Sequence, residues 1–122
     1  MTDKEKNILI IDTSNLKETR VGLSQEDKVI EDKEQSKDMK SQVLLPVIFE
    51  FLKKNKVDIK NITGIEVVTK GDSFTGLRVG FAVANIMALI LGIKVNGKKP
   101  GETEPEYFFH GHSFGVLTTL KK

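Results

Sequence analysis

The spacing of apolar residues changes period several times along the chain, and each change predicts an element. The run NILIIDTSN (7–15) is rich in isoleucine and halts at Asp-Thr-Ser-Asn, which predicts a buried strand ending in a turn. TRVGLSQ (19–25) and KVIEDKEQ (28–35) are half polar and separated by Glu26 and Asp27. With the first run they predict a three-stranded antiparallel meander. Its third strand lies near an edge, where lysine and glutamate discourage stray pairing. From Ser41 the period becomes helical. Leu44, Ile48, Phe51 and Leu52 share one stripe, Leu45 and Phe49 widen it, and lysines gather at the C-terminal end, where the helix dipole favours them. Pro46 implies a kink or a later start. GIEVVTK (64–70) predicts a second buried strand, a long helix follows, and IKVNG (93–97) closes as a short strand. The order is β-β-β-α-β-α-β.

The long helix is the unusual element. GDSFTGLRVGFAVANIMALILGIKV (71–95) opens on turn residues and hydroxyls, then continues almost without polar interruption. Asp72 or Ser73 is placed to cap it, and Thr75 adds a hydroxyl in the first turn. Leu77, Phe81, Ala84 or Ala88, and Leu91 recur at three- and four-residue steps and should pack on the sheet. Val79, Val83, Ile86, Met87 and Ile90 are left for the flanks and back. Gly80, Ala82, Ala84 and Ala88 are small enough to admit a close second helix. A surface helix is normally apolar on one stripe only, so the remainder marks an interface unless the C-terminal residues fold back over it. The run 79–91 is short for a membrane span and carries Asn85 in its middle, which argues against a membrane.

Composition narrows the chemistry. A chain of 122 residues with 39% apolar and 30% charged residues fits one globular domain. The formal charge is only +2, and Arg20 and Arg78 are the sole arginines, so a dedicated nucleic-acid surface is disfavoured. Cysteine is absent, which excludes disulfides and thiolate chemistry and fits a reducing cytoplasm.

Three antiparallel strands followed by helix, strand and helix make the ribonuclease-H-like α/β unit, a mixed sheet with helices packed on it, which also builds each lobe of actin-like ATPases. In such units strand-end acids hold Mg²⁺ through oxygen ligands. Asp12 and Asp72 are placed for this, with Glu50 between them in sequence. Glu50 falls on a polar flank, however, and Asp72 suits a cap. A phosphate site would draw on Asp12, Thr13, Ser14, Gly71 and Ser73 with the helix-start N–H groups. No glycine opens the first turn and no Walker pattern is present, so turn satisfaction by Asp12 and Ser14 is the simpler role. His110 and His112 alternate as a chelating pair would, without a third ligand in view.

ILIIDTS, KSQVLLPVIFEFL and ITGIEVVTKGDSFTGLRVGFAVANIMALILGIKV resemble the N-terminal lobe of the TsaB (YeaZ) family, of the actin-like ATPase superfamily. The resemblance covers about 8–97. SFTGLR is its most specific part, beside Asp12-Thr13 after the first strand and Leu44-Leu45-Pro46 in the first helix. It departs at Lys70-Gly71-Asp72, where the family usually carries Gly-Pro-Gly, and at Lys40, where a histidine is common. The resemblance implies a lobe over 1–97, followed by a linker and tail (98–122) in place of a second lobe. Nucleotide binds between two lobes in this superfamily, so a complete ATP site and its cofactor are not expected. Family members assist threonylcarbamoyl-adenosine formation on tRNA without being the catalyst. They pair through the helices of this lobe with a catalytic TsaD-like subunit or with a second copy, and meet tRNA indirectly. That implies an interface over Leu45, Phe49, Phe74, Gly76, Arg78, Gly80, Val83, Ala84 and Met87. The alternatives are a metal-dependent phosphoryl-transfer enzyme using Asp12 and Asp72, and a standalone homodimeric module.

Overall fold

β1 (Ile8–Asp12) is the strand around which the sheet assembles. The computed structural model describes residues 6–26, 28–35 and 41–106, and the backbone of 108–109 and 112–113. β1 pairs antiparallel with β2 (Glu18–Gln25), which pairs antiparallel with β3 (Lys28–Gln35) at the sheet edge. On its other side β1 runs parallel to β4 (Gly64–Val67), and β4 to the two-residue β5 (Lys94–Val95). The sheet order is β3-β2-β1-β4-β5, with α1 (Ser41–Lys54) and α2 (Phe74–Leu91) as crossovers. This is the mixed ribonuclease-H-like lobe that the element order predicts.

Alternation decides which face of the sheet is covered. Leu9 and Ile11 of β1 lie in register with Leu23 and Val21 of β2 and with Ile65 and Val67 of β4, and all six are buried. They join Leu44, Ile48, Phe51 and Leu52 of α1 and the inner side of α2 in one core cluster. The intervening Ile8 and Ile10 point to the opposite face and are only half buried. Pro46 lies inside α1, which continues past it with one fewer backbone bond to the preceding turn.

Side chains complete the sheet where strands run out. β5 is too short to reach Val67, and the Asn96 amide takes its place. Its Oδ1 accepts from Val67 N at 2.8 Å, and its Nδ2 donates to Val67 O at 3.1 Å. At the opposite end of the strands, buried Asn7 donates through Nδ2 to Asn61 O and accepts at Oδ1 from Gln25 Nε2, tying β1 to the loop before β4 and to β2.

α2 begins directly after Ser73, as its turn and cap residues suggest, and so extends beyond the apolar run 79–91. At 18 residues it is long and apolar enough to cross a membrane by length and composition alone. Gly76, Leu77, Gly80, Phe81, Val83, Ala84, Met87 and Ala88 are buried in the lobe, so one side of that hydrophobicity belongs to this core. Val83 and Met87, expected on the flanks, are core residues, because α1 extends the covered arc beyond the part facing the sheet. Gly92 ends the helix in the left-handed conformation (φ 71°), its N–H donating to Ala88 O, as glycine permits at this position.

The segment after β5 is fastened to the lobe rather than free-running. Gly101 N donates to Asn85 Oδ1 at 3.0 Å, and Glu106 N to Thr69 O at 2.7 Å. Lys70 Nζ approaches the Glu106 carboxylate at 3.6 Å. Beyond it, β6 (Phe108–Phe109) and β7 (His112–Ser113) form a separate antiparallel pair. His110 lies outside the described residues, as do Lys40 and the terminal residues 114–122.

Two truncations separate the sides of this architecture. Ile11→Ala removes a fully buried side chain and should cost about 2–5 kcal/mol, whereas Leu89→Ala on the outer side of α2 should stay within about 0.5 kcal/mol. Urea unfolding with an unchanged m-value reads both.

Candidate functional site: the second helix and the turn that launches it

The start of α2 is bound to the end of β1. Ser73 caps the helix, its Oγ accepting from Gly76 N at 3.0 Å, and its own N–H donates to Ser14 O at 3.0 Å. The buried Thr13 hydroxyl donates to Gly76 O at 2.6 Å. Asp72 Oδ1 accepts from Leu16 N at 2.9 Å, and Asp12 Oδ1 accepts from both the N–H and the hydroxyl of Ser14. The two turns therefore satisfy each other.

That arrangement answers the chemical alternatives. The proposed phosphate group, Asp12, Thr13, Ser14, Gly71 and Ser73, does converge. But the Thr13 and Ser14 hydroxyls donate to Gly76 O and Asp12, the Ser73 oxygen accepts from Gly76 N, and the Ser73 N–H donates to Ser14 O. Gly71 lies so close to Ser14 that a Cβ would overlap its backbone. These donors do not fit a phosphate cradle. The metal triad does not form either: among the described residues no three His, Cys, Asp or Glu side chains come together to hold a metal. Asp72 does not cap α2, a role that Ser73 takes; its carboxylate instead accepts from Leu16 N in the turn after β1, and Glu50 is exposed on α1. His112 is described by its backbone alone.

The interface residues divide in two. Gly76, Gly80, Val83, Ala84 and Met87 are buried inside the lobe. A Cβ on Gly80 would run into Thr13 Oγ1, and one on Gly76 into Thr13 O. The small residues of α2 thus let the helix approach β1 rather than a second chain, which corrects their assignment to an outer surface. Leu45 is half buried, while Phe49, Phe74 and Arg78 are exposed. The outer arc of α2 carries Phe74, Arg78, Ala82, Ile86 and Ile90 at four-residue steps, with Leu89 beside them. Ile86 is 57% exposed, Leu89 70% and Ile90 77%. The Arg78 guanidinium lies 5.9 Å from the Phe74 ring centre, a cation–π distance. Next to it Thr75, Arg78, Val79 and Ala82 line a shallow groove of about 300 Å³.

Leu89 was absent from the surface expected from the sequence, whereas Ile86 and Ile90 fell on the flanks and back that were expected to form an interface. The signal for Ile86 and Ile90 was the four-residue step from Phe74, on the side of the helix away from the glycines. It became readable once the glycines were fixed inward.

Residues 29–97, from β3 to two residues past β5, match the family described as TsaD: tRNA N6-adenosine threonylcarbamoyltransferase. The chain belongs to this family. Within it the lobe is TsaB (YeaZ)-like. Its fold matches YeaZ from Pseudomonas aeruginosa with a TM-score of 0.67 and 26% identity over 74% of this chain. A second Pseudomonas aeruginosa structure, an uncharacterized protein with similarity to peptidase YeaZ, matches with the same score and identity. The chain spans 42% and 41% of the lengths of these relatives. No protein of curated function matches it.

The close approach at Gly80 generates a specific expectation for this TsaB-like lobe. Gly80→Leu must displace Thr13 or push α2 off β1, so it should lower stability by roughly 1–3 kcal/mol or more through overpacking. Thermal unfolding of the isolated variant checks this. A variant as stable as the parent would return Gly80 to the outer surface.

Proposed function

We propose that the chain is a non-catalytic partner subunit in tRNA threonylcarbamoyladenosine modification, docking on a TsaD-like protein through the outer arc of α2. The observation that carries this is the row of Ile86, Leu89 and Ile90, large apolar side chains more than half exposed along one helix of a TsaD-family lobe. Contiguous apolar surface on a small domain is characteristic of interaction sites. Phe74 and Arg78 lie on the same arc, and aromatic and arginine side chains are the residue types that concentrate binding energy. The committed hydroxyls beside Ser73 support a non-catalytic role, since they leave the first-strand turn poorly suited to receive a phosphate. Contact with tRNA is then indirect, through the partner, consistent with the small net charge. The setting is the cytoplasm.

Replacing Leu89 and Ile90 with glutamate should weaken capture of a TsaD-like subunit at least about tenfold, the effect of losing 1.4 kcal/mol or more at an interface. Circular dichroism and melting temperature should stay unchanged. Undiminished capture sinks the reading. Loss of a homodimer in ultracentrifugation, with no capture by either form, would assign the surface to a second copy.

A further inference from the structure

The face of the sheet away from the helices has no described element upon it. Its central rows follow from the strand registers. Val29, Ser24, Ile8 and Gly64 form one, and Glu31, Gly22, Ile10 and Glu66 the next. Val29 is 61% exposed, while Ile8 and Ile10 are half buried. Gly22 and Gly64 add no side chain, so Ile8 and Ile10 form a low apolar floor, bordered by the exposed Glu31 and Glu66. A cavity of about 330 Å³ opens there, lined by Ile10, Glu66, Val67, Val68 and Asn96. The rim is charged. Arg20 is held by Glu18 at 2.9 Å, and its guanidinium is pushed above its ordinary pKa, chiefly by that hydrogen bond and charge. β1, β4 and β5 run parallel, and parallel strands are ordinarily covered on both faces.

We propose that this face is the docking site of the chain's own C-terminal segment, residues 107–122. The segment begins at the right place. Glu106 is fixed to Thr69 O, one residue beyond the cavity-lining Val68. It has the right chemistry, since Phe108, Phe109, Phe114, Val116, Leu117 and Leu120 give it an apolar content that the preceding residues 98–106 lack. It is also long enough: with 108–113 folded back as an antiparallel pair, the nine residues 114–122 alone reach up to about 30 Å extended, against roughly 20 Å across five strands. Finally, among the described residues β6 and β7 pair with each other alone, and a lone two-stranded ribbon is marginal in water unless it packs on an apolar surface. This docking is independent of the α2 interface and uses the opposite side of the lobe.

The chain has no cysteine, so Thr118→Cys gives a single site for a nitroxide label in the full-length protein. The label should broaden the methyl signals of Ile8, Ile10 and Val68 relative to a diamagnetic control and leave Ile86, Leu89 and Ile90 sharp. Adding Leu117→Asp and Leu120→Asp to the labelled chain should restore the lost intensity. Three results would overturn the proposal: broadening confined to the α2 methyls, no broadening in the lobe, or broadening of unlabelled chains when mixed with labelled ones. The last would identify the occupant as a second copy.

Discussion

At the carboxyl end of β1 the Thr13 hydroxyl donates to Gly76 O, and the first turns of α2 press on the strand with glycine at the points of closest approach. The geometry of the lobe depends on this crossing. A buried hydroxyl without a partner costs about 1–3 kcal/mol, so the hydrogen bond fixes both the height and the rotation of the helix. The Ser73 cap and its bond to Ser14 O hold the same crossing from the loop side. Once α2 is set in this way, Leu77, Phe81, Ala84 and Ala88 fall toward the core, and Ile86, Leu89 and Ile90 fall outward.

The same crossing separates this lobe's chemistry from its surface. In a ribonuclease-H-like unit the strand-end turns are where metal or phosphate would be met. Here those turns bond to one another, with Asp12 turned to Ser14 and Asp72 to Leu16. What remains outward is an apolar helix face, the kind of surface that a partner uses.

Much of the fold was legible because period and burial coincide. Alternation in β1 separates Leu9 and Ile11 from Ile8 and Ile10, and the α1 stripe of Leu44, Ile48, Phe51 and Leu52 is buried as its spacing predicts. The site was less legible because α2 is apolar nearly all round. Period alone cannot orient such a helix, and small residues suit a strand neighbour as well as a helix partner. Gly80 and Ala84 were therefore assigned to a partner when they face the lobe. Leu89 escaped because nothing in its spacing distinguishes an exposed leucine from a core one. The Asn96 amide that extends the sheet edge was also beyond pattern reading, since it substitutes a side chain for backbone that β5 lacks.

The most direct measurement is methyl NMR of the full chain during titration with a TsaD-like subunit. The account predicts that Ile86, Leu89 and Ile90 signals shift or broaden with saturable stoichiometry, while Ile8, Ile10 and Val68 on the opposite face remain in place. Perturbation of the sheet-face methyls alone, or an unchanged α2 at saturating partner, would contradict it.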